Sequence, residues 1–126
     1  MRTRLLTIAV TVLALAAGPA RAVESGQAPF EGDLQRLAEI LGALHYLRGI
    51  CGANDGPRWR NEMQALLDAE APNGDRRNRL VANFNHGYRS FRQTYRTCTP
   101  AADVVIRRYL EEGAKISHEI TARYSN

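Results

Sequence analysis

The chain predicts an all-α, four-helix up-down-up-down bundle with one disulfide, preceded by a signal peptide. Three observations carry that expectation. Apolar residues recur at spacings of three and four through four separate segments, the period of a helix that buries one face. No segment alternates apolar and polar residues as a half-buried strand does. Finally, the only two cysteines, Cys51 and Cys98, close the first and third segments. An up-down-up-down order brings those two ends to the same pole.

The N-terminus is set aside first. Arg2 and Arg4 precede an apolar run from Leu5 to Ala17, followed by Gly18-Pro19 and Ala20-Arg21-Ala22. That layout is a secretory signal peptide with cleavage after Ala22. The run spans 13 residues, short of the roughly 20 that a membrane-crossing helix needs. Residues 1–22 are therefore read as the signal, 23–32 as a flexible lead-in and 33–126 as a single helical domain, exported to the periplasm.

Export changes the charge argument. The full chain carries 17 basic and 13 acidic residues, a formal +4. Loss of Arg2, Arg4 and Arg21 leaves 14 against 13, a net +1. That balance excludes the overall electrostatic footprint of a nucleic-acid-binding domain. Export also places Cys51 and Cys98 in an oxidising compartment, where a pair of cysteines reads as a disulfide.

Taking the elements in order, Asp33 is a cap for the first helix, whose stripe runs Leu34, Leu37, Leu41, Leu44, Arg48 and Cys51. Gly49 and Gly52 mark its end. Asn54-Asp55-Gly56-Pro57 is a turn that opens the second helix, with proline in the first turn, where its missing N–H is harmless. Trp59, Met63, Leu66 and Leu67 trace the inner face, and Ala71-Pro72-Asn73-Gly74 stops it. Asp75 caps a third helix whose apolar positions continue from Leu80 through Phe84, Tyr88, Phe91 and Tyr95 to Cys98. Gly87 inside that helix loses about 1 kcal/mol relative to alanine, which points to another helix approaching closely there. Thr99-Pro100 is a cap with a first-turn proline, so a fourth helix starts almost at once and presents Ala102, Ile106, Tyr109, Gly113, Ile116 and Ile120 inward.

Few residues offer chemistry. From Arg76 to Ala102 there is no acidic residue, yet Arg76, Arg77, Arg79, Arg89, Arg92 and Arg96 all fall there. Arg89, Arg92 and Arg96 are spaced to share a helix face, and guanidinium groups recognise carboxylates and phosphates in a two-pronged way. With Arg107 of the fourth helix and Trp59, they form the expected partner-binding set. Two alternatives stand beside it: pairing of the arginines with acids of neighbouring helices, and Trp59 as a core plug. The aromatic residues among the arginines share the core-facing stripe, so packing explains them better than base stacking. No catalytic, cofactor-binding or metal-ligating set is expected. His45, His86 and His118 are scattered, there is no HExxH or CxxC spacing, and Glu39, His45 and Arg48 are the one titratable group a single helix would offer an enzyme.

The stretch Leu37-Ala38-Glu39-Ile40-Leu41-Gly42-Ala43-Leu44-His45-Tyr46-Leu47-Arg48 with Cys51-Gly52 resembles a family of small exported alphaproteobacterial proteins of unknown function. Trp59-Arg60 with Met63, Asn85-His86-Gly87-Tyr88-Arg89 and Thr94-Tyr95-Arg96-Thr97-Cys98-Thr99-Pro100 are similar to its other motifs. The resemblance implies a small helical envelope protein and supplies no functional residues. The expectation is a non-enzymatic periplasmic binding or scaffold protein. Its partner is another envelope protein or an acidic cell-wall component, with weak contact to a membrane surface as a further mode. A cell-wall-acting enzyme or its regulator is one alternative, and a peripheral membrane module using Trp59 and its neighbours Arg58 and Arg60 is the other.

Overall fold

A computed structural model describes residues 30–124. The expected signal peptide and residues 23–29 of the expected lead-in lie outside them. Four helices follow in order: α1 (Glu31–Ile50), α2 (Gly56–Glu70), α3 (Gly74–Thr94) and α4 (Pro100–Tyr124). Among the described residues there is no strand.

Side-chain pairings fix the directions. Arg76 meets Glu31 near the start of both α3 and α1, Gly87 abuts Glu39 and Ala43, and Cys98 is bonded to Cys51 at the far end, so α1 and α3 run parallel. Arg123 reaches Asp33 while Gly113 sits over Ile40, so α4 is antiparallel to α1. Asp55 before α2 pairs with Arg48 at the end of α1, and Glu70 closes α2 beside Arg76. The topology is up, down, up, down. The disulfide joins the α1 end to the α3–α4 link with Cα atoms 4.8 Å apart.

The bundle is not square. In an even four-helix arrangement the diagonal pair stands furthest apart, but here α1 and α3 are the closest pair. Two glycines cause this. A Cβ on Gly42 would run into the backbone carbonyl of Phe84, and one on Gly87 into that of Glu39. Without side chains at these two points the helix backbones touch. Helices α2 and α4 then pack against α1 from the sides, leaving a groove between them floored by Leu37 and Leu41.

The first helix was expected to bury one side; instead it is surrounded. Leu34, Ala38, Ile40, Ala43, Leu44 and Leu47 are all at most 2% exposed, because three helices contact α1. Each fully buried leucine or isoleucine contributes roughly 1.5–3 kcal/mol, so α1 is the core of the domain. Its start also differs. The helix begins at Glu31, two residues before Asp33, which lies in the first turn and pairs with Arg123 at 3.7 Å instead of capping. Similarly, α3 begins at Gly74, whose φ of +76° suits glycine, so Asp75 is inside the first turn. At the head of α4 the expected cap is present, with Ala102 N–H donating to Thr99 Oγ1 at 3.1 Å.

The end of α3 needs a correction too. The apolar spacing continues to Cys98, but the helix stops at Thr94 and Tyr95 is extended at φ −121° and ψ 122°. Two tertiary demands take over there. The Tyr46 hydroxyl donates to the Tyr95 carbonyl, and Cys98 turns to reach Cys51.

Candidate functional site

Because α1 and α3 rise while α2 and α4 descend, the end of α1, the start of α2, the end of α3 and the start of α4 gather at the disulfide pole. Residues 48–60 and 89–108 form this end. They contain Arg48, Arg58, Arg60, Arg89, Arg92, Arg96, Arg107 and Arg108 against only Asp55 and Asp103, a surplus of six positive charges. The other described residues hold ten carboxylates and six cations, Arg36, Arg76, Arg77, Arg79, Lys115 and Arg123. Of the ten carboxylates Glu39, Glu62, Glu111 and Glu112 lie mid-helix, which leaves six against those six cations toward the other end, so a nearly neutral domain carries its positive surplus at the disulfide pole alone.

Most of the basic end is unneutralised. Arg48 Nε lies 2.5 Å from Asp55 Oδ2. Among the described residues no carboxylate lies within ion-pair distance of Arg58, Arg60, Arg89, Arg92, Arg96, Arg107 or Arg108. All seven are exposed. The expected pairing of helix-three arginines with acids of other elements is met at the opposite end only, where Arg76 contacts Glu31 at 2.8 Å and Glu70 at 4.0 Å. Glu112 is taken by Arg36, in a two-pronged bond at 2.7 and 2.9 Å. That bond raises the Arg36 pKa and, outweighing burial, lowers that of Glu112.

Two members of the expected partner-binding set sit differently from expectation. Arg96 lies in the link after α3, so it does not share a helical face with Arg89 and Arg92, although all three remain at the same pole. Arg92 rests over the Tyr88 ring at 5.7 Å. Trp59 is 4% exposed and is a core plug, not an exposed anchor. Its Nε1 donates to Asp55 Oδ1 at 3.2 Å, and the Arg48 and Arg58 guanidiniums lie over its ring at 5.8 and 4.8 Å. Burial raises the Asp55 pKa, but the hydrogen bonds from Arg48 and Trp59 prevail and hold it below the usual carboxylate range.

The possible enzyme set is divided among separate partners. Glu39 pairs with Arg36 at 3.3 Å and Arg48 with Asp55. His45 packs on the Phe84 and Tyr88 rings at 6.0 and 5.6 Å, facing a recess lined by Gly56 and Arg60. Burial, with help from Arg60, lowers its pKa. The aromatic residues of α3 and Tyr95 just after it act as packing: Tyr88 meets Tyr46 edge-on, Phe91 meets Tyr109 edge-on and Tyr95 stacks on Phe91. Cys51, Cys98 and Asp103 cluster closely, but both sulfurs are committed to the disulfide and offer no thiolate to a metal.

Arg48, Arg58, Arg60 and Arg108 were not in the expected partner-binding set. The turn Asn54–Pro57 was the available signal, since it returns the chain beside the end of α1 and brings their charges to the pole.

These features define a small disulfide-linked helical domain with one strongly basic end. The chain belongs to the family described as protein of unknown function (DUF2385), whose model matches residues 29–124. No curated protein and no solved structure matches it.

Proposed function

We propose that this is an exported, non-enzymatic binding protein of the cell envelope that holds an acidic partner at its disulfide pole. One observation carries the reading: seven exposed arginines there have no carboxylate partner among the described residues. Like charges held together on a folded surface repel one another and raise the potential around that end. An acidic partner relieves this, and guanidiniums suit it because each donates two parallel hydrogen bonds to a carboxylate or phosphate. The disulfide supports the role by fixing the α3–α4 link, which carries Arg96, to the end of α1. Export to the periplasm is part of the proposal, motivated by the leader pattern from Arg2 to Ala22.

The test is affinity capture from detergent-solubilised envelope extract with the wild type and with Arg89→Glu, Arg92→Glu, Arg96→Glu. Loss of the captured partner in the triple variant, and retention in Arg77→Glu, Arg79→Glu at the other end, is the expected result. Equal recovery by the wild type and the triple variant overturns the reading.

A further inference from the structure

We infer that the arginine pole docks on an anionic phospholipid surface, end-on, with the charge-balanced end turned away from the membrane. This rests on the reading of that pole as the partner-binding surface and names the partner.

The first argument is the spread of the charges. They come from the end of α1, the start of α2, the end of α3 and the upper part of α4. Arg58 and Arg60 line recesses, while Arg89, Arg92, Arg96, Arg107 and Arg108 are exposed on α3, the link after it and α4. A pocket ligand needs donors that converge, whereas a charged plane needs donors distributed over one end of the molecule. Polarity is the second argument. The opposite end is balanced, with Glu31, Asp33, Asp68, Glu70, Asp75 and Glu119 against Arg36, Arg76, Arg77, Arg79, Lys115 and Arg123, so an anionic leaflet attracts only the arginine pole and orients the domain.

The third argument separates lipid from protein. A specific protein interface has a desolvated apolar centre. At this pole the one exposed large apolar side chain among the described residues is Val104, at 37%. It stands in the first turns of α4 with exposed Pro100 and Ala101, too little for such a centre but suited to shallow contact between headgroups. Among the described residues no helix is long and apolar enough to cross a membrane, so docking of this domain is peripheral.

Vesicle flotation tests the inference, using phosphatidylglycerol in phosphatidylcholine against phosphatidylcholine alone. At about 0.1 M salt the protein should float with the anionic vesicles only, and it should release near 1 M, where the screening length falls from about 10 to about 3 Å. Arg89→Gln, Arg92→Gln, Arg96→Gln should weaken partitioning about a hundredfold, since each arginine at an anionic leaflet contributes roughly a factor of five. The triple lysine variant should retain most of the binding, and Arg77→Gln, Arg79→Gln all of it. Absence of flotation, or flotation indifferent to the triple glutamine variant, overturns the inference. A polyglutamate column supplies the second arm. Arginine-dependent retention there without flotation assigns the pole to an acidic polypeptide, which removes the lipid and leaves the proposed function standing. Failure in both arms and in the extract capture removes both.

Discussion

The α-carbon of Gly87 faces the backbone carbonyl of Glu39, and a side chain at position 87 would occupy the same space as that oxygen. Gly42 stands in the same relation to Phe84 one turn away. These contacts bring the two parallel helices together and set the height at which their ends, and the arginines on them, meet.

Replacing Gly87 with alanine should therefore destabilise the domain despite the gain in helix propensity. Alanine favours a helix by about 1 kcal/mol over glycine, but forcing a methyl group into close packing costs roughly 1–3 kcal/mol, and more where the obstacle is backbone. A net loss of about 2 kcal/mol is expected by urea unfolding. Gly49→Ala, where an added Cβ meets nothing within 4 Å, should leave stability unchanged or raise it by up to about 1 kcal/mol.

Removing the staple should be more damaging still. The Cys51–Cys98 bond closes a loop with a sequence separation of 47, for which chain entropy gives about 4 kcal/mol. For a domain of this size the double serine variant should melt roughly 20 °C lower. Thermal unfolding of that variant, and of the wild type with reductant, checks this.

Truncation of Trp59 separates plug from anchor. Trp59→Ala should lose about 3–5 kcal/mol of stability, because a buried ring and its bonds to Asp55 and the two guanidiniums go together. Chemical denaturation gives the number, and a change under 1 kcal/mol would contradict the burial argument.

Acid should weaken the fold in two stages. His45 has a lowered pKa in the folded protein, so the unfolded chain takes up its proton first. Its contribution is complete above the unfolded value of about 6.5 and declines as pH falls below it. Asp55 and Glu112 are also lowered, but their contributions persist above the unfolded carboxylate values and are lost only on further acidification. Unfolding free energies at pH 7.5, 5.5 and 3.5 should fall at each step. His45→Gln should flatten the first step and leave the second.

How far these features were legible depended on how many neighbours each helix has. Periodicity revealed α2, α3 and α4 because each keeps a solvent face, and polar residues there interrupt the apolar stripe. In α1 the run Leu37–Leu44 is apolar on nearly every side, so the pattern marked a helix without revealing that it is central. Gly87 was readable as a close approach, but its counterpart Gly42 was not, since it lies inside that uniform run. The end of α3 was misplaced because Tyr95 and Cys98 keep the helical spacing while answering to Tyr46 and Cys51. Likewise, Arg89 and Arg92 stood out within an acid-free stretch, whereas Arg48, Arg58 and Arg60 join them only through the topology.

The most direct measurement of the central claim is an amide chemical-shift titration of the isotope-labelled protein with phosphatidylglycerol-containing nanodiscs and, separately, with polyglutamate. Perturbations confined to residues 48–60 and 89–108, fading as salt is raised, are the expected result for whichever acidic probe binds. Shifts centred on the groove between α2 and α4 or on the opposite end, or no shifts with either probe, would contradict the assignment of the disulfide pole as the binding surface.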